Sequence, residues 1–582
     1  MLSNASHKAR INYNGFNLSH DLKFSSTVGE LLPVFYDVAI PGDKYKLDYT
    51  LLTRSIPLNK PAWFDLEEKI DWFFVPTTQI YQFFGEFYYG ISDFKTSFTV
   101  PSNMISTSFP HLEATTQEMG DFYTHLQSDM DVYFSSYVGT KSRVAELLGF
   151  PIPATYSYAS GEHIWQGPSA LIPCAYQKIY MDYYRDSDRE TVDPESYNVD
   201  IYYDVVNNAI PGMEFSRFFT LRYHRWAPDL FSHVFVSPLY GSNSNNQFVN
   251  NLLESLSDWL LPQTSFQGSP SQDLHNITLA SDGDQQLINP AALSGRVHTL
   301  GWNNSSNQIA ANTIRSIATS TSPQSLRHSF ALEKLLEVTR RAGKHYDAQV
   351  LAHFGVEVPT GIAGEVMFLG SSSSKMEVRD VISTADTTSA VLGQQAGKAF
   401  CAGHGSGIKF TAPSDGVIMA IYSAIPKADW GASMLDRLHS YTTRDTWFSE
   451  EFDDSGMQPL FRYQVRYDFL TPATNTNVLG YQYPFSERKL KYNRVCGALR
   501  RTLSEWTPKR VYMNTSINSF IIAPNALDGI FSVNWNFDAL NELKGQNSNT
   551  KDLTYQSDPF QHLLSFKVTK ASKMSAYGLP NL

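Results

Sequence analysis

Residues Lys44 to Ile56 read KYKLDYTLLTRSI, and their alternation leaves little choice of structure. Tyr45, Leu47, Tyr49 and Leu51 fall on one face; Lys46, Asp48 and Thr50 fall on the other. A period of two is that of a half-buried strand. The turn Pro41-Gly42-Asp43 precedes it, and Leu31 to Ile40 before the turn is a second strand. Pro57 and Pro61 break the alternating run, and Ile70 to Pro76 (IDWFFVP) resumes as a nearly continuous apolar strand. Gly416 to Ile425 is another. A chain carrying such runs, with 29 Pro, 34 Gly and 14 % aromatic residues, leans to β-structure with many turns and a large contact surface.

The chain has 582 residues, 42 % hydrophobic and 18 % charged, so it forms a core and lies far from disorder. Its net charge of −11 excludes a globally basic nucleic-acid binder; any such contact must come from a local patch. Cys174, Cys401 and Cys496 are odd in number and far apart, so reduced thiols are expected rather than a disulfide framework. The opening residues have no apolar core of a signal peptide, and no apolar run is long enough to span a bilayer. Folding in a cytoplasm is the expectation. Residues 1–28 are polar and read as an extended arm that orders only against a neighbour.

Further on, Ser142 to Leu148 is a short helix stopped by Gly149. The stretch from Ile164 to Tyr240 has two halves. In the first, Leu171, Ile172, Ala175, Ile179 and Tyr183 suit an amphipathic helix packed on a sheet. In the second, the basic-aromatic run Arg222 to Trp226 leads through Pro228 into a strand-like Phe231 to Pro238. Residues 241–322 change character, rich in Asn, Ser, Gln and Gly with few charges, as exposed surface is. Ser322-Pro323 then opens a helix whose apolar face is Leu326, Phe330, Leu332, Leu335, Leu336 and Val338; Gly343 ends it. A second short helix covers Asp347 to Phe354.

Several of these stretches resemble one family. P-x-A-Y-x-x-I-x-x-x-Y-x-R-D (Pro173 to Asp186), R-x-x-R-x-x-x-D (Arg222 to Asp229), V-x-I-P-G-D (Val38 to Asp43), the strand ending FFVP, and Leu147-Leu148-Gly149-Phe150-Pro151 occur in the family's order. The pattern is similar to the major capsid proteins of microviruses, small single-stranded DNA bacteriophages, in particular the gokushovirus-like branch. The resemblance implies a mainly β fold: an eight-stranded antiparallel jelly roll of the viral capsid type, with long insertions containing short helices. The jelly-roll domain would comprise 29–240 and 323–582. It would be interrupted by a surface insertion at 241–322, a candidate for the three-fold protrusion. It also implies a virion protein of which sixty copies, assembled through pentamers, make a T=1 icosahedral shell around circular single-stranded DNA. A small basic internal DNA-binding protein and a scaffolding protein are the expected partners. The 241–322 insertion is a candidate for binding a host-surface glycan. A carbohydrate-binding or carbohydrate-cleaving β-sandwich is the alternative reading.

No enzyme, cofactor or metal is expected. Gly393-x-x-x-Gly397-Lys398 has too short a gap for a phosphate loop and Ala399 where Ser or Thr is needed. Gly403-His404-Gly405-Ser406-Gly407 lacks the glycine two residues before Ser that a nucleophile elbow requires. Both read as loops. Glu450, Glu451, Asp453 and Asp454 lack the ligand spacing of a calcium loop and read as a solvated turn; His224 and His233 are not spaced as zinc ligands. The informative segment is basic: Arg488, Lys489, Lys491, Arg494, Arg500, Arg501, Lys509 and Arg510, interleaved with Tyr483, Tyr492 and Trp506. Cations neutralise phosphates and aromatic faces stack unpaired bases, which suits single-stranded DNA. Charge runs are also commonly a solvated strand face or pair with acidic neighbours across subunits, and that reading stands beside the first. Arg340, Arg341 and Lys344 end a helix and complement its dipole.

Overall fold

The structure is a computed structural model. It describes residues 13–55, 65–89, 108–113, 115–132, 140–151, 167–202, 208–232, 234–239, 323–343, 345–358, 364–382, 395–448, 456–503, 506–510 and 555–574, with isolated shorter pieces between them. Two compact units emerge: Met1–Val236 with Glu357–Leu582, and Ser237–Val356.

The first unit is built on β1 (Asn14–Asn17), β2 (His20–Ser26), β3 (Glu30–Ala39), β4 (Lys44–Ser55), β5 (Leu66–Pro76), β6 (Arg222–Tyr223), β7 (Met367–Ile382), β8 (Gln395–Thr411) and β9 (Gly416–Pro426). Shorter strands follow: β10 (Asp429–Trp430), β11 (Gln458–Phe461), β12 (Val478–Gln482), β13 (Asn493–Arg494) and β14 (Lys509–Arg510). The long β15 (Phe560–Ser572) comes last. One antiparallel sheet runs β1–β15–β4–β8–β7–β5–β9–β3–β6, with β2 also on β15. Residues 367–376 of β7 pair with β5 and residues 377–382 pair with β8, so this one strand carries the sheet from one half to the other. Chain neighbours β3, β4 and β5 alternate between the halves. The halves also face each other: Phe566 of β15 meets Trp72 of β5 at 5.9 Å and Phe35 of β3 at 5.2 Å, and Phe24 of β2 meets Tyr422 of β9 at 5.3 Å.

Burial follows the sequence pattern. On β4, Tyr45, Leu47, Tyr49 and Leu51 are buried while Lys46 and Thr50 are exposed; Asp48 breaks the rule because it accepts the Gly407 amide at 2.7 Å. β9 is buried along its whole length, as a continuous apolar run requires. Each such Val, Ile or Met contributes roughly 1.5–3 kcal/mol. Helix α3 (Leu171–Ile179) and the π-helical turn Tyr180–Tyr184 pack on β5 and β9. The Tyr176 hydroxyl donates to the Leu31 carbonyl of β3 at 2.8 Å and accepts the Arg222 amide at 3.0 Å, and the Tyr184 hydroxyl donates to Asp71 at 2.6 Å. The amphipathic helix expected here is thus pinned to the sheet by its tyrosines.

Three expectations need correction. Residues 14–26 do not await a neighbour: β1 and β2 pair with β15 of the same chain, where Phe24 stacks on His562 at 4.5 Å. Their polar composition belongs to the outward face, and Leu22 and Phe24 turn inward. The glycine-rich 395–411 is a strand and not a pair of loops, because the glycines make room for side chains of neighbouring strands. A Cβ on Gly405 would lie 2.2 Å from the Tyr49 ring and 2.4 Å from Ser372 Oγ. Phe231 to Pro238 is a series of turns rather than a strand. The Asp229 carboxylate accepts the amides of Phe231 and Ser232 at 2.9 and 2.7 Å, and this local turn outcompetes extension. Among the described residues of this stretch, Phe235 alone makes a bridge, to Tyr481.

A polar cluster lies inside the fold between the facing halves. His562 Nδ1 donates to Thr53 Oγ1 at 2.8 Å, Thr53 donates to Glu68 Oε1 at 2.7 Å, and Tyr422 donates to the same oxygen at 2.7 Å. Ser26 Oγ then donates to His562 Nε2 at 2.7 Å. This assignment needs a neutral imidazole. Burial lowers the His562 pKa to about 3 and raises that of Glu68. The 3.5 Å approach of His562 to Glu68 is therefore not an ion pair. Helices α1 (Thr116–Val132), α2 (Thr140–Leu147) and α4 (Gly212–Arg217) form an aromatic subcore. Phe122 packs on Phe215 at 5.4 Å and Phe150 on Phe219 at 4.7 Å. From α2, Arg143 reaches Glu30 and grips both oxygens of Asp558 at 2.6 and 2.7 Å, tying the helix to β3 and to the approach to β15.

In the second unit, α5 (Pro323–Ala342) starts at the anticipated Pro, and α6 (Tyr346–Phe354) ends on a left-handed Gly355. Gln349 donates to the carbonyls of Thr339 and Gly343, closing the hairpin. Phe330 and Leu335 are exposed although they lie on the apolar face of α5. Four short strand pieces at 278–281, 284–287, 302–303 and 308–309 are described. The rest of the 241–322 insertion, His233, Lys344, and Glu450, Glu451 and Asp454 of the acidic cluster lie outside the described residues.

Candidate nucleic-acid interface

The basic segment is arranged around one buried tryptophan. Trp430 of β10 is flanked on both sides by parallel strands, β13 and β14, and register places Arg494 opposite it on one side and Arg510 on the other. Two strand spacings put these arginine Cα atoms roughly 10 Å apart. Trp430 is held by its indole N–H, which donates to Asp229 at 2.7 Å, and by the Phe231 ring at 4.9 Å. The Phe231 turn that replaces the expected strand is thus the seat of this platform.

The expected residues divide into groups. Arg488 lies over the rings of Tyr441 at 5.1 Å and Phe448 at 5.9 Å, a cation–π arrangement. Tyr441 donates to the buried Glu487 at 2.5 Å, and burial raises the phenol's pKa. Lys489 pairs with Asp453 at 2.5 Å, and Lys491 donates to the Glu487 carbonyl at 3.1 Å. These three cations already have partners within the chain. Arg494 and Arg501 are exposed and meet no carboxylate among the described residues. Arg500 is half-buried in the 3₁₀ turn Gly497–Arg500. Lys509 and Arg510 form β14, and their side chains lie outside the described residues.

The aromatic residues sort differently. Tyr492 packs inward on Phe231 at 4.5 Å, and burial raises its pKa. Its hydroxyl has no hydrogen-bond partner among the described residues, and Tyr492 lines a cavity of about 10 Å³ with Asp436, Arg437 and Glu487, enough for one water molecule. Trp506 is half-buried, with its carbonyl accepting the Trp63 amide at 2.6 Å. Neither offers an open ring face. Sequence reasoning missed Trp447, which is 58 % exposed, 6.0 Å from the Tyr441 ring and adjacent to Phe448 on the Arg488 stack. The available signal was Trp447-Phe448 following a Thr-capped turn, but it lies about forty residues upstream of the charge run.

Among the described residues no group of three His, Cys, Asp or Glu side chains could hold a metal. His224 is pushed down to a pKa of about 4, chiefly by burial. Cys174 and Cys401 are buried thiols raised by burial, and Cys496 is exposed. No described helix is long and apolar enough to cross a membrane. Ser26, His562 and Glu68 are linked like a hydrolytic triad, but all three are buried, so no substrate reaches them.

Residues 5–124, which include β1 to β5, match the family described as Capsid protein (F protein). Over 581 aligned residues, spanning 90 % of this chain and 91 % of the relative, the sequence is 22 % identical to Capsid protein VP1 of Chlamydia phage 1. The family match sets aside the carbohydrate-cleaving alternative. With the opening strands matching the F-protein family and nearly the full length following a phage VP1, the chain is similar to the capsid proteins of the Microviridae.

Proposed function

We propose that this chain is the repeating unit of a T=1 icosahedral shell, sixty copies assembled through pentamers around a circular single-stranded DNA genome. The observation that carries this reading is the match to a phage capsid protein across 91 % of that protein's length. The antiparallel sheet whose halves share β7 and face each other supports an eight-stranded jelly roll as its core. On this reading residues 29–240 and 323–582 supply the jelly roll, and 241–322 is a surface insertion suited to a protrusion and to a host glycan. Closed symmetry demands several distinct contact surfaces on one subunit.

Within the shell, Arg494 and Arg501 are the cations we assign to phosphate, with Arg500, Lys509 and Arg510 beside them and Trp447 as a stacking face for an unpaired base. Arg488, Lys489 and Lys491 serve mainly to hold the platform together. A net charge of −11 leaves the genome's charge to be offset by such a local patch and by a small basic internal protein. A scaffolding protein is the other expected partner. Sedimentation velocity of the purified protein, read at 260 and 280 nm, tests the proposal. Particles carrying nuclease-protected nucleic acid support it, and a chain that stays monomeric in the presence of its co-encoded proteins overturns it.

A further inference from the structure

The turn after β11 presents two apolar side chains to solvent on a rigid base. Phe469 is 73 % exposed and Leu470 94 %. Beneath them the Asp468 carboxylate accepts the Leu470 and Thr471 amides at 2.9 and 3.1 Å and the Thr471 hydroxyl at 2.7 Å. The Asp468 backbone is clamped by the buried Asn475, whose side chain accepts from its N–H at 2.8 Å and donates to its C=O at 3.0 Å. Tyr467 donates its amide to the Ser433 carbonyl at 2.6 Å and packs its ring 4.8 Å from Phe469. A tip whose base is held by these hydrogen bonds loses little freedom on docking, whereas two adjacent large apolar side chains in water gain by burial.

We propose that Phe469 and Leu470 form an apolar knob that inserts into a second copy of this chain during shell assembly. The inference rests on the shell reading, which makes other copies the neighbours of every exposed loop. Charge argues against a nucleic-acid occupant. Hydrogen bonds from Thr471 and Leu470 hold the Asp468 pKa below the usual carboxylate range, so the carboxylate beneath the tip is ionised and offsets the charge of Arg462 beside it. Arg462, 3.4 Å from that carboxylate, is engaged by it. Size argues against an isolated dimer. Two side chains bury far less than the roughly 1,000 Å² that a stable pairwise interface needs. A contact this small gains effect where symmetry repeats it around a closed shell.

The test compares wild type with Phe469→Ser/Leu470→Ser under conditions where wild type forms particles. The double variant is expected to keep the circular dichroism spectrum and melting temperature of the soluble subunit and to yield at least tenfold fewer particles. Wild-type particle yield from the double variant overturns the knob while leaving the shell reading intact; absence of particles from wild type overturns the shell reading instead. A second measurement does not depend on yield. An environment-sensitive dye is attached at Leu470→Cys, with the exposed Cys496 replaced by Ser and the buried Cys174 and Cys401 left in place. A blue shift on assembly is expected, and unchanged emission in assembled particles refutes burial of the tip.

Discussion

Replacing Arg143 with Met strips the charge from a buried three-way junction and nearly keeps the side-chain volume. Arg143, Glu30 and Asp558 are each close to fully buried, and the guanidinium bridges both carboxylates. Burial raises the Glu30 pKa, with Arg143 opposing that shift and Asp558 adding to it. Without Arg143, two carboxylates share an apolar pocket, and the fold survives best by protonating one of them. Holding Glu30 protonated at pH 7, about 2.5 pH units above its ordinary value of 4.5, costs about 3.4 kcal/mol. The loss expected at pH 7 is therefore about 3–4 kcal/mol, within the range for breaking a buried ion pair.

The sign with pH follows. A carboxyl whose folded pKa lies above its unfolded one loses stability as pH rises, at up to about 1.4 kcal/mol per pH unit. The variant's deficit should therefore shrink to about 1 kcal/mol or less near pH 5 and be largest above pH 7. Urea unfolding of the soluble subunit, followed by tryptophan fluorescence at pH 5, 7 and 8, measures it. Arg143→Met/Glu30→Gln/Asp558→Asn should recover most of the loss, since neutral amides fit where unpaired charges do not. A deficit under about 1 kcal/mol at pH 7, or one that is the same at pH 5 and 8, refutes the reasoning.

Three other perturbations probe separate parts of the account. His562 is neutral in the fold with a pKa lowered to about 3; it gains a proton on unfolding below about pH 6.5. Its contribution is complete above that pH and is lost as pH falls toward 3, so His562→Gln should flatten the acid limb of a stability–pH curve; an unchanged slope contradicts this. Gly405→Ala places a methyl within 2.2 Å of the Tyr49 ring and should destabilise the sheet by about 1–3 kcal/mol, whereas an unaltered melting temperature would mean the strands separate freely. Arg494→Gln/Arg501→Gln should weaken single-stranded DNA binding and reduce the magnitude of the salt slope by about 1–2, while Lys489→Gln, already paired to Asp453, should change it little. Equal effects from both would mean that intrachain pairing does not decide which cations meet phosphate.

What could be read in the sequence depended on how local its cause was. Tyr45, Leu47, Tyr49 and Leu51 announce β4 because one face is buried and the other is not, and the all-apolar β9 announces its double burial. Phe231 to Val236 carry the same apolar signal but obey the Asp229 side chain two residues earlier, which captures their amides. Gly403 and Gly405 suggest a loop until Ser374 and Tyr49 are seen occupying the space a Cβ would take. The arm at 14–26 offers no strong pattern because its partner, β15, lies some 550 residues away. At the candidate interface the charge run was visible, but pairing was not. Asp453 and Tyr441, which engage Lys489 and Arg488, come from other segments, and Lys491 turns back to the carbonyl of Glu487 four residues earlier. Trp447 was missed for the same reason.

The central claim, a closed shell built from this one chain around single-stranded DNA, is tested most directly by electron cryomicroscopy of particles purified from cells that express the chain with its co-encoded proteins. The account predicts isometric particles whose averaged density shows icosahedral symmetry with one copy of the chain in each of the sixty equivalent positions and nucleic acid inside. Open filaments, flat sheets or particles without five-fold symmetry would contradict it.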